Sequence, residues 1–204
     1  MTAPVAVHPA TRTGEDHRKV LMWVFLASDT LYFGSIIATF VVYASRGLHI
    51  VDGQRVPLAE VFRLNTVLFM AFLLLMGSVM MALAVWAAHE GRIGLVRVYL
   101  LATALLSSAF LGFQGVEFSE FVHEGFTPRV SPVGSAFFAL TGSHGAHVTV
   151  STLWLLGLLG ASFRGGITRK NAIWVEVAGL FYHFVDVAWI VILSVVYLIG
   201  ATLW

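Results

Sequence analysis

The sequence predicts an all-α membrane protein, a polytopic bundle of five transmembrane helices with its N-terminus inside. This prediction rests on a hydrophobic composition, on five long apolar stretches and on the short polar segments between them. Of 204 residues, 58% are hydrophobic and only 11% are charged, whereas an ordinary soluble domain carries about 25% charged residues. This composition excludes soluble enzymes and disordered chains. The net charge of +1 also argues against a nucleic-acid binding protein.

Each of the five apolar stretches is long enough to cross a bilayer core, which takes about 20 residues. They run over about Val20–Ala44, Leu64–Ala88, Leu95–Val122, Val133–Phe163 and Ala172–Leu203. The connections are short and polar, and only the first has room for more than a turn. There, Pro57 with Leu58 to Phe62 predicts a short surface helix.

The domain prediction is a flexible cytoplasmic tail over residues 1–19 and one transmembrane domain over residues 20–204. The tail is polar and contains two prolines. We do not expect it to be a signal peptide, because the apolar run after Lys19 is long and lacks a small-residue cleavage site. The chain has no cysteine, so it forms no disulfide, thiolate metal site or iron–sulfur cluster.

The predicted orientation follows from the distribution of lysine and arginine, which are enriched on the cytoplasmic side of membrane proteins. Eight lie on the side of the N-terminal tail: Arg12, Arg18, Lys19, Arg92, Arg97, Arg164, Arg169 and Lys170. Four lie on the other side: Arg46, Arg55, Arg63 and Arg129. The second span has few polar residues beyond Asn65 and Ser78, so it is expected to face lipid over more of its surface. Tryptophan and tyrosine near the span ends, Trp189 and Tyr197 among them, are expected to be interface anchors.

Titratable side chains inside the predicted spans are the candidate functional residues. There are four carboxylates and three imidazoles: Asp29, Glu117, Glu176, Asp186, His144, His147 and His183. A charged residue at mid-bilayer costs about 2.5–3.5 kcal/mol on insertion scales. These groups must therefore be paired, be protonated or lie near the interface.

The spacing of these residues supports pairing inside the bundle. Glu176, His183 and Asp186 are seven and three residues apart, which places them along one helix face. His144 and His147 likewise share a face of the fourth span, where flanking glycines permit close helix approach. The leading interpretation is a buried polar network of Glu117, His144, His147, Glu176, His183 and Asp186 that fixes helix packing.

Other interpretations of the same residues stay open. Carboxylates and histidines on facing helices build di-metal sites, although the Glu-x-x-His motif of those sites is absent here. Two of the three helical histidines could instead ligate a haem. Asp29 has no arginine or histidine on its own span between Val20 and Tyr43, which makes it a candidate for a lipid-headgroup or proton-linked role.

Four segments resemble subunit III of haem-copper terminal oxidases. FFALTGSHGAHV (Phe137 to Val148) resembles the family's FF-x-x-TG-x-HG-x-HV signature, and HFVDVAWI (His183 to Ile190) resembles its W-H-F-V-D-V-V-W segment. In the second motif, Tyr182 replaces the usual tryptophan and Ala188 a valine. GFQGVEFSEF and SDTLYFGS resemble two further family segments, and the resemblance extends from Trp23 to Gly200.

The resemblance implies the five-helix form found in bacterial quinol oxidases and some bacterial cytochrome c oxidases. It implies an accessory, non-redox subunit of a proton-pumping complex that reduces oxygen to water, located in the bacterial inner membrane as a multi-pass protein. Haems and copper belong to partner subunits in this family, so no cofactor is expected in this chain, while bound phospholipid is. The implied partners are subunit I as the main one, subunit II and a small subunit IV. Asp29 aligns with a carboxylate that the family places near lipid and a proton-related path.

Two other functions remain as alternatives. A stand-alone small membrane transporter would fit the length, but the sequence lacks inverted repeats and a pair of broken helices. A membrane di-metal enzyme would use the histidines and carboxylates described above. The electron donor of an oxidase, cytochrome c or quinol, is not assigned by the sequence.

Overall fold

The computed structural model describes residues 16–45, 50–51, 54–55, 64–123, 125, 127–129 and 131–199. Within them, five helices long and apolar enough to cross a membrane confirm the predicted fold class. The helices are α1 (His17–Ser45), α2 (Leu64–His89), α3 (Ile93–His123), α4 (Pro132–Phe163) and α5 (Ile173–Ile192). A short 3-10 helix, Arg169–Asn171, precedes α5, and a π-helical segment, Leu193–Ile199, continues it.

Polar caps and glycines set the helix ends. α1 begins three residues before the predicted span, because Asp16 caps it: the Arg18 backbone N–H donates to Asp16 Oδ1 at 2.8 Å. At the start of α4, Ser131 accepts from the Gly134 backbone N–H at 2.9 Å, and proline occupies the first turn.

Tight turns follow α2 and α4. Gly91 and Gly165 have φ values of 73° and 74°, a left-handed conformation that residues with a Cβ adopt at a cost. They reverse the chain at the end of the bundle where α1 begins. We call this end, marked by His17, His89 and Ile173, the tail end, and the opposite one, marked by Ser45 and Pro132, the far end.

The first connection contains an element that the sequence analysis did not predict. Ile50–Val51 and Gln54–Arg55 pair as two antiparallel strands, β1 and β2, with Ile50 opposite Arg55. The short helix predicted over Pro57 to Phe62 lies outside the described residues. So do residues 1–15 of the predicted tail and the last residues of the fifth predicted span.

The helices pack around α5, which contacts α1, α2 and α4, while α3 lies between α2 and α4. The expectation that α2 faces lipid more than the others is wrong. We compared an apolar 18-residue stretch of each helix. In α2, 44% of that stretch is buried inside the bundle, whereas in α1 only 17% is. Apolar side chains are equally compatible with lipid and with a neighbouring helix, so the lack of polar residues in α2 did not indicate its surroundings.

Two aromatic residues expected at the membrane interface are core residues instead. Trp189 and Tyr197 are each 1% exposed, whereas Trp23 is 59% exposed. Trp189 lies near the end of α5 and Tyr197 in the π-helical segment. The wider i to i+5 turns of that segment change which side chains face the bundle. Both residues lie close to candidate polar side chains, Trp189 against His144 and Tyr197 against Glu117.

Candidate functional site

The first buried polar contact joins Asp29 on α1 to His147 on α4. Asp29 Oδ2 lies 3.3 Å from His147 Nε2, within ion-pair distance although the angles are not those of a hydrogen bond. His147 Nδ1 lies 2.7 Å from the Ser143 carbonyl oxygen, and because a carbonyl only accepts, Nδ1 carries a hydrogen. With its hydrogen on Nδ1, a neutral imidazole would present a bare Nε2, an acceptor, to the carboxylate, which is also an acceptor. A proton between the two atoms removes this unfavourable contact. The pair joins an acid on α1 to an imidazole on α4 inside the bundle.

His144, one turn away on α4, is surrounded by aromatic rings. Its imidazole stacks on Trp189 with centroids 4.9 Å apart, and meets Phe110 edge-on at 5.7 Å and Phe33 at 6.4 Å. The side chain is fully buried. Within the described part of the chain, neither ring nitrogen has a hydrogen-bond partner. His144 thus contributes to the bundle as a packed aromatic ring.

A second polar cluster joins α2 to α5. Ser78 Oγ lies 2.6 Å from His183 Nδ1, and the side chain of Asp186 lies beside the same hydroxyl. The three side chains form one polar cluster between α2 and α5.

Tyr182, next to His183, extends this cluster to α3. Ser107 Oγ lies 3.1 Å from the Tyr182 hydroxyl and donates to it. The same hydroxyl lies only 2.2 Å from the position that a Cβ on Gly77 would occupy. The tyrosine that replaces the usual family tryptophan is therefore accommodated by a residue without a side chain on α2.

The third contact lies nearer the far end, between α3 and the π-helical segment. The carboxyl group of Glu117 lies beside the hydroxyl of Tyr197, and Glu120 is a second acidic neighbour. One turn earlier on α3, Gln114 donates to the Thr141 carbonyl oxygen at 2.8 Å. Glu117 and Gln114 together connect α3 to α4 and to the chain beyond α5.

The last titratable group, Glu176, lies at the tail end. Its Oε1 is 2.5 Å from Lys19 Nζ and its Oε2 is 3.4 Å from His89 Nε2. Nearby, the Arg18 guanidinium lies 4.3 Å from the centre of the Trp174 ring. These contacts fasten the first turn of α1 to the end of α2 and the start of α5.

The structure thus divides the seven predicted residues among separate places rather than joining them in one network. Asp29 meets His147, with His144 one turn away; His183 and Asp186 meet through Ser78; Glu117 faces Tyr197; and Glu176 lies apart at the tail end. Sequence reasoning missed Tyr197, Tyr182 and the role of Ser78. The signal for Ser78 was available, because it is a lone hydroxyl in the middle of an apolar span.

Taken together, the described residues define a polytopic membrane protein whose interior acids and imidazoles are tied mostly to its own side chains. Among the residues that the structure describes, no group of three or more histidine, cysteine, aspartate or glutamate side chains is arranged to hold a metal ion. The chemistry that this arrangement offers is helix fastening and proton exchange.

Comparison with known proteins gives the family. The model of the family described as cytochrome c oxidase subunit III matches residues 9–201. The chain therefore belongs to the cytochrome c oxidase subunit III family, as its sequence motifs predicted. This membership confirms the predicted function as subunit III of a terminal oxidase, and it agrees with neither a transporter nor a di-metal enzyme.

Individual relatives agree with the family match. The quinol oxidase subunit 3 of Bacillus subtilis is 36% identical over 178 residues, covering 87% of this chain and 85% of the relative. The cytochrome c oxidase subunit 3 of the same organism is 37% identical over 194 residues, covering 94% and 91%. The cytochrome bo(3) ubiquinol oxidase subunit 3 of Pseudomonas aeruginosa is 36% identical over 179 residues, covering 88% and 83%. The relatives thus include subunits of oxidases that are named for both types of electron donor.

Proposed function

We propose that this chain is an accessory, non-redox subunit of a proton-pumping haem-copper terminal oxidase, with the haems and copper held by partner subunits. The observation that carries the proposal is the family match over residues 9–201. The interior geometry supports it, because six of the seven candidate titratable residues form a polar contact with another side chain of this chain. Side chains engaged in this way stabilise a bundle and are poorly placed to ligate a metal.

The partners in this proposal are subunit I as the main one, subunit II and a small subunit IV, together with bound phospholipid. An affinity tag on this chain, followed by gentle solubilisation and mass spectrometry, tests the proposal directly. We expect a haem-bearing large subunit to co-purify at a fixed ratio. Purification of the chain alone, or with unrelated proteins, would contradict the proposal.

Asp29 is proposed to be lipid- or proton-linked, and the other six residues to maintain the bundle. The proposal for Asp29 is supported by its contact with His147, because that pair needs a proton between its facing atoms. In this role Asp29 buffers protons beside the large subunit and leaves the chemistry of oxygen reduction to the metal centres.

The proposed location is the bacterial inner membrane, with the N-terminus inside. The positive-inside rule supports this orientation through the excess of lysine and arginine on the tail side. Since the chain has no cysteine, single cysteines can be introduced for labelling. We expect Ala10→Cys to resist an impermeant thiol reagent in intact cells and Gly53→Cys to react with it. The reverse pattern would refute the orientation.

The donor class is proposed to be determined by other subunits. This is supported by the nearly equal identity, 36% and 37%, to the quinol and cytochrome c oxidase subunits of one organism. Oxygen consumption by the purified complex with a quinol and with reduced cytochrome c identifies the donor. Replacing this chain with a relative from the other class should leave that choice unchanged, and a switch of donor would contradict the proposal.

A further inference from the structure

A crevice of about 410 Å³ opens between α1 and α5 in the tail half of the bundle. Trp23, Ala27 and Thr30 lie in its wall on α1, and His183 and Phe184 lie in its wall on α5. Trp23 and Ala27 are exposed, so the crevice is reached from the outer surface of the bundle. Its volume is within the range of about 300–1,000 Å³ that is usual for small-molecule sites. The crevice is therefore large enough to hold the ring of a lipid-soluble molecule.

The crevice opens at the depth of the hydrocarbon core and not at that of the headgroups. Trp23 lies about 9 Å and Thr30 about 20 Å along α1 from His17. Because the apolar run begins at Val20, both positions fall inside a core that is about 30 Å thick. The described lining contains no lysine, arginine, aspartate or glutamate. A phosphate would find no counter-charge there, so the crevice favours a neutral molecule that is soluble in hydrocarbon.

The imidazole of His183 brings a hydrogen-bonding group to this apolar crevice. Its Nδ1 is engaged in the interior, 2.6 Å from Ser78 Oγ. Its Nε2 has no hydrogen bond to any residue that the structure describes, and the side chain is half-buried. The Thr30 hydroxyl, by contrast, donates to the Leu26 carbonyl of its own helix at 2.8 Å. The crevice therefore offers a ring nitrogen to a ligand.

This nitrogen matches both redox forms of one class of ligand. If Ser78 donates to Nδ1, then Nε2 carries the hydrogen and donates to the carbonyl oxygen of a quinone. If Nδ1 instead donates to Ser78, then Nε2 is bare and accepts from the hydroxyl of a quinol. The aromatic rings of Trp23 and Phe184 in the lining are suited to pack against a planar ring. The oxygen and the ring of such a molecule each find a matching group in the crevice.

We propose that the α1–α5 crevice binds a membrane quinone, with one ring oxygen hydrogen-bonded to His183 Nε2 and the ring packed against Trp23 and Phe184. The inference goes beyond the proposed function, which assigns the choice of electron donor to other subunits. It concerns binding of the oxidised and the reduced molecule alike, and it includes no electron transfer by this chain.

The test uses a photoactivatable azido analogue of ubiquinone, added to the purified complex, and identifies the labelled peptides by mass spectrometry. We expect labelling of this chain within residues 23–30 or 180–187. Excess unlabelled decylubiquinone, oxidised or reduced, is expected to prevent the labelling, whereas the same amount of phosphatidylglycerol is not. Labelling confined to other segments or other subunits would overturn the proposal. Equal competition by phosphatidylglycerol would show a general hydrocarbon groove and would overturn it too.

A variant on the outer wall tests the placement without disturbing the interior of the bundle. Ala27→Phe fills the crevice from α1 without changing charge, and we expect it to abolish the labelling. Ala38→Phe, at another exposed alanine three turns further along α1, is the matched control and is expected to retain it. Undiminished labelling of Ala27→Phe would overturn the placement in this crevice.

A variant of His183 tests the hydrogen bond. His183→Phe keeps an aromatic ring, and we expect it to raise the decylubiquinone concentration that halves the labelling by roughly three- to tenfold. Because this variant also removes the interior partner of Ser78, Ser78→Ala is its control and is expected to leave that concentration nearly unchanged. An unchanged value for His183→Phe would overturn the assignment of the imidazole. Co-purification of the large subunit, which tests the proposed function, is scored separately in every preparation.

Discussion

Asp29 of α1 and His147 of α4 meet in the interior of the bundle, with Oδ2 and Nε2 3.3 Å apart. His147 is oriented for this contact by its own helix, because its other ring nitrogen donates to the Ser143 carbonyl. A carboxylate that had no partner on its own span thus finds one on a helix that follows much later in the chain. The pair fastens the least buried helix to the bundle.

The amide variant Asp29→Asn separates fastening from proton exchange. The side-chain amide that it introduces keeps a polar group of the same size beside His147 Nε2, so we expect the complex to assemble with nearly unchanged stability. The amide cannot give up a proton, so we expect the oxidase to lose activity sooner during turnover or to retain less lipid. Progress curves of oxygen consumption and lipid analysis measure both. Unchanged lifetime and lipid content would refute the proton- or lipid-linked role.

Asp29→Leu should instead weaken the fastening itself. Leaving a buried imidazole nitrogen without its partner costs about 1–3 kcal/mol, and we expect earlier loss of this chain on heating the complex. The double variant Asp29→Leu/His147→Leu should recover part of that loss, because two contacting residues do not contribute additively. Additive losses in the double variant would show that the two side chains do not interact.

Gly77→Ala should destabilise the contact between α2 and α5. Its new methyl group would lie 2.2 Å from the Tyr182 hydroxyl, and such overpacking typically costs about 1–3 kcal/mol. Adding Tyr182→Phe leaves Cζ as the nearest atom, 3.2 Å away, and should restore part of the stability. Gly94→Ala is the control, since nothing lies within 4 Å of its added Cβ. Equal thermal stability of the two alanine variants would contradict the close approach.

Glu176→Gln should loosen the tail end in a salt-dependent way. The Glu176 carboxylate contacts Lys19 and His89, and its side chain is 23% exposed. A partly exposed ion pair contributes about 1 kcal/mol or less, and about 1 M salt reduces the screening length to about 3 Å. We expect the stability difference from the unaltered complex to shrink at that salt concentration. Glu90→Gln, at an exposed carboxylate of the same end, serves as control, and a salt-independent effect would argue against the ion pair.

Removing this chain from the purified complex should leave the haem and copper content of the remainder unchanged. We expect this because six of the seven candidate acids and imidazoles contact other side chains of this chain, and because the proposed function places the metal centres in partner subunits. Elemental analysis and the optical spectrum of the complex before and after removal measure the outcome. A stoichiometric loss of iron or copper with this chain would overturn the assignment as a non-redox subunit.

Hydrophobic length was sufficient to predict the five helices, because each span exceeds the bilayer thickness and is bounded by polar connections. The ends were less predictable. α1 begins at His17 because of the Asp16 cap, and the β1–β2 pairing involves only two residues on each strand. A hydropathy pattern averages over many residues and does not detect such small local contacts.

The identity of the polar residues was predictable, but their grouping was not. The spacing of Glu176, His183 and Asp186 correctly places them on one face of a helix. Glu176 is nevertheless too far along that helix from the other two to contact them. Partners from other helices, such as Ser78 and Tyr197, depend on packing angles that spacing does not contain. Trp189 shows the same limit of sequence spacing. Its position near a span end suggested an interface anchor, but the packing of the helices makes it a core residue.

The position of α1 also has a consequence for biogenesis. It is the first of the five helices to leave the ribosome, yet its contacts are with α4 and α5. His147 is synthesised 118 residues after Asp29, which at bacterial elongation rates is a delay of roughly 6–24 s. During that interval Asp29 is already in the nascent chain while its partner in the folded bundle has not been made, so the fastening of α1 to α4 has to be one of the last steps of assembly.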